Sequence, residues 1–135
     1  NLLDGMVAVE GGKATPTGPL YNELPDRIAD SLLLVPVGYA AGWPWLGWAA
    51  ALLAAITAYI RVLGGSLGLA QSFEGVMAKQ RRMAMLTAGL VAQAIESPLA
   101  GTRYSLLVAG IVITAGSLIT CATRTTAIGR QLAGR

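Results

Sequence analysis

Charged residues stop at Asp30 and resume only at Arg61, and the largely apolar stretch between them is too long for a single membrane crossing. A hydrocarbon core about 30 Å thick takes roughly 20 helical residues. Gly42-Trp43-Pro44-Trp45 divides the stretch, because glycine and proline break helix and Trp43, Trp45 and Trp48 suit the headgroup interface. The pattern predicts spans over 20–41 and 44–63. A third apolar run, Met83 to Ile95, is charge-free but short, and it reaches spanning length by continuing past Glu96 to Leu99, which predicts a span over 83–99. The fourth, 104–123, carries no charge and is rich in Leu, Val, Ile, Ala and Gly. The expected fold is all-α, a polytopic membrane helix bundle with four spans forming one domain over 1–135.

Composition agrees with the pattern. Hydrophobic residues make up 54% of the chain and charged residues 13%, against roughly a quarter charged in an ordinary soluble domain, and the mean hydropathy is +0.58. Four antiparallel spans sort the ten Lys and Arg residues sharply. Lys13, Arg27, Arg61, Lys79, Arg81, Arg82, Arg124, Arg130 and Arg135 fall on the side of the opening segment, and Arg103 alone falls on the other. By the positive-inside rule the opening segment is cytoplasmic, and the chain is expected to be a multi-pass protein of a bacterial cytoplasmic membrane. Membrane lipid is an expected partner and nucleic acid is not. Cys121, the single cysteine, lies in an apolar segment and is expected to pack as a small side chain. Gly64 with Gly68, Gly89, and Gly110 with Gly116 have the character of helix-packing positions, where small residues let helices approach.

The acidic residues are distributed unevenly. Five of the seven, Asp4, Glu10, Glu23, Asp26 and Asp30, precede the long apolar stretch. Asn22, Asp26 and Asp30 follow at steps of four, which places them on one face of a helix that enters the membrane. Carboxylates there are costly unless paired, hydrated or metal-bound, so such a cluster marks a candidate functional site. Asp4, followed by Gly5, Gly11, Gly12 and Gly18, supplies another carboxylate and a return that can bring it to that face. Oxygen ligands suit Mg²⁺ or Mn²⁺, and the absence of histidine from the sequence argues against zinc. The plainer alternatives are a surface ion pair between Glu23 and Arg27, four residues apart, and Asp30 as a solvated interfacial charge.

Asp4-Gly5-x-x-Ala8, then Gly18, then x-x-x-Asn22-x-x-x-Asp26 resembles the motif of the CDP-alcohol phosphatidyltransferases, integral membrane enzymes of phospholipid synthesis. Their pattern is D-x-x-D-G-x-x-A-R, eight residues, then G-x-x-x-D-x-x-x-D. Every gap here is the family's gap. Asp4, Gly5, Ala8, Gly18 and Asp26 match, whereas Asn1, Val9 and Asn22 stand where Asp, Arg and Asp are expected. Tyr59-x-Arg61 and Lys79-Gln80-Arg81-Arg82 are also similar to the family at corresponding helix ends. The resemblance implies a six-helix domain of which this stretch is the later part, the chain beginning at Asn1 inside an apolar helix end.

That resemblance also implies a function. A phosphatidyl group passes from CDP-diacylglycerol to an alcohol acceptor with release of CMP, at a site facing the cytoplasm in a homodimer. Carried over, Asp4, Asp26, Asn22 and Asn1, with Asp30 as a compensating acid, would hold Mg²⁺ or Mn²⁺, and Asp26 would be the catalytic base. Gly5, Ala8 and Gly18 would admit the CDP moiety. Arg61 and Arg82 could bind a phosphate on the acceptor, which favours glycerol 3-phosphate or another polyol phosphate. The alternative is a catalytically impaired lipid-binding or assembly protein of the same fold, motivated by Asn1, Val9 and Asn22. An ion-coupled transporter fits less well, because the acids cluster at one interface and not at the midplane.

Overall fold

A computed structural model describes residues 17–69 and 77–134. They form four helices: α1 Gly18–Ala40, α2 Pro44–Ser66, α3 Lys79–Ala100 and α4 Tyr104–Ala133, with no strand among the described residues. The fold is therefore the all-α membrane bundle that the charge-free apolar runs predict.

Glycine sets three of the helix ends. Gly42 takes φ 82°, so the N–H of Trp43 can reach back to the carbonyl of Gly38 at 2.9 Å and close α1. Gly68, at φ 78°, does the same for α2, where the N–H of Leu69 donates to the carbonyl of Gly64 at 3.1 Å. Gly101, at φ 65°, ends α3. Pro44 then opens α2, where the missing N–H costs nothing. The Trp residues cluster at the α1–α2 turn: Trp43 and Trp45 meet edge to face at 5.9 Å, and Trp48 Nε1 donates to the Tyr39 hydroxyl at 3.4 Å. All three indoles are exposed, as side chains at a headgroup interface would be.

Three helices, α2, α3 and α4, are long and apolar enough to cross a membrane. The first expected span forms as a helix of 23 residues but is not one of them. Glu23, Asp26, Arg27 and Asp30 all lie within it and leave no sufficiently uncharged window. The fourth runs on past the expected end at 123 to Ala133, for 30 residues. At 1.5 Å per residue that is about 45 Å, longer than the hydrocarbon core, so Arg130 stands beyond it.

The expected third span was short because of Glu96, and its surroundings explain how the helix continues through a charge. Glu96 accepts the backbone N–H groups of Tyr104 at 3.0 Å and Ser105 at 2.9 Å, and the hydroxyls of Thr102 and Ser105. It thereby caps the N-terminus of α4 from the end of α3, where a carboxylate also meets the positive end of the helix dipole. Gln93 adds a second tie, donating to the carbonyl of Thr102 at 2.7 Å. Glu96→Ala is expected to lower stability through loss of this cap, read as a lower thermal midpoint in detergent. An unchanged midpoint would show that the turn holds without it.

α1 packs on α2, α2 on α4, and α4 on α3. Leu34, Ala50, Ala54, Leu86, Leu106 and Ile113 form the centre of the shared core. Lipid is as apolar as these side chains, so close fit rather than water exclusion holds such helices together. Gly89 against Ala109 and Gly110 against Leu46 bear out the packing role expected of these glycines, and Gly64 faces Ile128. The tightest approach involves a pair that the spacing argument did not single out: a Cβ on Gly38 would lie 2.4 Å from the backbone nitrogen of Gly47, and one on Gly47 would lie 2.6 Å from the carbonyl oxygen of Val35. Backbone cannot move aside as a side chain can. Gly47→Ala is expected to cost about 1–3 kcal/mol by forcing α1 and α2 apart, whereas Gly129→Ala, with open space around it, should be neutral. Equal midpoints for the two variants would contradict the close packing.

Candidate functional site

The step-of-four face of α1 gathers partners from two other helices. Asn22 and Asp26 are half-buried and Asp30 is 3% exposed. Lys79, the first residue of α3, places Nζ 2.5 Å from Asp26 Oδ2. One turn further into the bundle, Arg82 Nη2 donates to Asp30 Oδ2 at 2.8 Å. Arg27 leans over both carboxylates, 3.6 Å from Asp30 and 3.9 Å from Asp26, with Nη1 at 3.5 Å from the carbonyl of Ala54 on α2. Arg61, near the end of α2, pairs with Glu23.

Asp30 is thus not the solvated interfacial charge that the plainer reading allowed. Burial of a carboxylate and a guanidinium is tolerable only when each satisfies the other, and Arg82 is itself 2% exposed. The local pairing of Glu23 with Arg27 also gives way. The two are well spaced along α1, but Glu23 reaches Arg61 and Arg27 turns to the aspartates. Arg61 and Arg82, expected to converge, do come to the same end of the bundle, each in an ion pair with α1. Gly18 is the first residue of α1. Asn1, Asp4, Gly5 and Ala8 lie outside the described residues.

Arg124 belongs to this end as well. From the sequence it counts only toward topology, yet its Nη1 donates to the carbonyl of Thr57 at 2.9 Å and its charge lies close enough to Arg61 and Arg82 to feel both. Its position at the same end of its helix as Arg61 was the available signal. Cys121, one turn before it, is buried with Sγ 3.8 Å from the carbonyl of Leu53, a packing role as expected.

Among the described residues, Asn22, Asp26 and Asp30 by themselves do not fit a divalent cation. Among the described residues no three carboxylate, cysteine or histidine side chains come together, and Oδ2 of each aspartate already faces an ammonium or guanidinium group. Hard dications want several oxygens and an excess of negative charge. Among the described residues, Arg27, Arg61, Lys79, Arg82 and Arg124 share this end of the bundle with the carboxylates of Glu23, Asp26 and Asp30. Such an arrangement can neutralise a phosphate and hold it by charge-assisted hydrogen bonds. No family model, curated protein or solved structure matches the chain.

Proposed function

We propose that the chain transfers a phosphatidyl group from CDP-diacylglycerol to an alcohol, releasing CMP, at the cytoplasmic side of a bacterial membrane. The observation that carries this reading is that the α1 face bearing Asn22 and Asp26 at the family's spacing lies at the end of the membrane bundle where Arg61 from α2 pairs with Glu23 and Arg82 from α3 pairs with Asp30. In the transfer, the acceptor oxygen forms a bond to the phosphatidyl phosphorus as the bond to the CMP oxygen breaks. Asp26 takes the proton of the acceptor hydroxyl. Arg61 holds the acceptor's phosphate, and Arg82, buried behind Asp30, fixes the acidic face against α3. A lipid substrate suits this position, since its tails stay among the exposed apolar faces of the helices while its headgroup meets the charges.

Incubation of membranes with radiolabelled CDP-diacylglycerol and a panel of acceptors, each with Mg²⁺, with Mn²⁺ and with EDTA, tests the reading. New labelled phospholipid and free CMP are expected, with a polyol phosphate as the best acceptor. Absence of CMP release with every acceptor and metal would remove it. Chemical cross-linking in the same membranes tests the homodimer that the resemblance implies.

A second reading, a non-catalytic lipid-binding or assembly protein, is favoured by the ion pairs of Lys79 with Asp26 and Arg82 with Asp30. Asn22→Asp separates the two. A working variant site should tolerate the change or lose activity, whereas an impaired protein should stay inactive or gain it.

A further inference from the structure

Taken as a whole, α1 carries too much charge to rank with the three helices that are long and apolar enough to cross a membrane. Its two sides, however, are unlike each other. Glu23, Asp26, Arg27 and Asp30, its four charged residues, all turn inward, Glu23 and Arg27 towards α2 and the two aspartates towards α3. Tyr21, Leu24, Ile28, Leu32 and Tyr39 follow at steps of three, four, four and seven, which keeps them on one face, opposite Asp30. Each is more than half exposed, whereas Asp30 is buried. A helix on the surface of a water-soluble protein is built the other way, with its apolar stripe inward and its charges out.

The exposed face is ordered along its length as a bilayer is. Tyr21 and Tyr39 bound it, 18 residues apart, and at 1.5 Å per residue the separation is about 27 Å, close to the hydrocarbon core of about 30 Å. Tyrosine suits the headgroup level at either end because its ring is apolar and its hydroxyl polar. Between the two stand Leu24, Ile28 and Leu32, whose side chains offer a partner no hydrogen bond and no charge. Tyr39 takes part in a belt: its hydroxyl accepts from Trp48 Nε1 at 3.4 Å, beside the exposed indoles of the α1–α2 turn. α2, packed on α1 and itself able to cross a membrane, likewise turns Leu52 and Tyr59 outward. Pro25 and Pro36 within α1 agree, since proline is more frequent in membrane helices than in soluble ones.

We propose that α1 crosses the bilayer as an inside-out helix: lipid acyl chains cover Leu24, Ile28 and Leu32, Tyr21 and Tyr39 stand at the two headgroup levels, and the charged face is sealed inside the bundle. The lipid-facing surface of α2 then continues onto α1 without a break. This inference does not rest on the transfer reading.

The experiment uses the full chain in vesicles of phosphatidylcholine and phosphatidylglycerol, with Cys121→Ala removing the native thiol and one cysteine placed at a time on α1. Two quantities are measured at each site: the rate of reaction with a membrane-impermeant maleimide, and the quenching of a bimane label, attached before reconstitution, by lipids that carry a nitroxide near the headgroup or near the chain end. Leu24→Cys, Ile28→Cys and Leu32→Cys are each expected to react at least about tenfold more slowly than Gln131→Cys, an exposed reference beyond Arg130 on α4, because the reacting species is the thiolate and hydrocarbon suppresses its formation. The deep nitroxide is expected to quench most strongly at Ile28→Cys and Leu32→Cys, and the shallow one at Tyr21→Cys and Tyr39→Cys. All five α1 sites are exposed, so helix content by circular dichroism should match that of the parent chain. Labelling of the three central sites as fast as Gln131→Cys would put α1 in water and overturn the proposal. Slow labelling without quenching by either lipid would overturn it too, because protein, either another segment of this chain or a second copy, would then cover the face. Quenching by the shallow nitroxide alone at all five sites would lay α1 along the bilayer surface, and the crossing would be refuted.

Discussion

Asp26→Ala is expected to lower CMP release by roughly 100- to 10,000-fold, the span typical of losing a general base. Asp26 is the one acid of the described residues that both matches the family's motif and lies at the partly open edge of the cluster, 13% exposed against 4% for the Asp30 side chain. Asp26→Asn, which keeps the shape and removes the charge, should lose nearly as much. Both variants remove the partner of Lys79, so the readout has to separate chemistry from folding. Helix content and thermal midpoint should stay near those of the parent chain, because Lys79 is 39% exposed and can turn to solvent. Full activity in Asp26→Ala with excess metal would remove Asp26 from the reaction.

Asp30→Ala is expected to act the other way, with a large loss of stability. Its carboxylate and the Arg82 guanidinium are both buried, and removing one leaves the other without its counter-charge. Such a change costs about 3–5 kcal/mol. Arg27, 3.6 Å from Asp30, cannot compensate because it brings a second positive charge. The paired change Asp30→Ala with Arg82→Met should recover most of the loss, since replacing a buried ion pair by apolar groups is often neutral, and the double-mutant cycle isolates the coupling. Unfolding titrations in mixed detergent provide the measurement. A loss below about 1 kcal/mol in the single variant would place both side chains in contact with water.

The helices were legible because their boundaries are written locally. Gly42 and Pro44 mark a turn on any reading, and an uncharged run such as 104–123 admits few structures other than a helix in lipid. Glu96 was harder, since its partners Thr102 and Ser105 belong to the next helix and have no periodic relation to it. At the site, the four-residue step of Asn22, Asp26 and Asp30 predicted a shared face, and the structure places Asp26 and Asp30 together against α3. Which cation meets which carboxylate was not legible. Glu23 and Arg27 satisfy a local rule worth only about 0.2–0.5 kcal/mol, so a partner on another helix easily overrides it. The close pass of Gly38 and Gly47 was missed for a similar reason: the two glycines face each other from different helices, and spacing within one helix says nothing of that.

The pairing of Asp30 with Arg82 joins residues 52 positions apart, and this has a consequence for how the chain is made. Ribosomal synthesis delivers α1 long before α3. An ionised Asp or Arg near the middle of a lone helix opposes entry into lipid by about 2.5–3.5 kcal/mol each, and α1 carries Asp26, Arg27 and Asp30 together. Until Lys79 and Arg82 emerge, that helix has no counter-charges from α3 and is best kept in the insertion machinery or at the bilayer surface. The first helix of the described chain thus gains the buried counter-charge of Asp30 only once the third has been made.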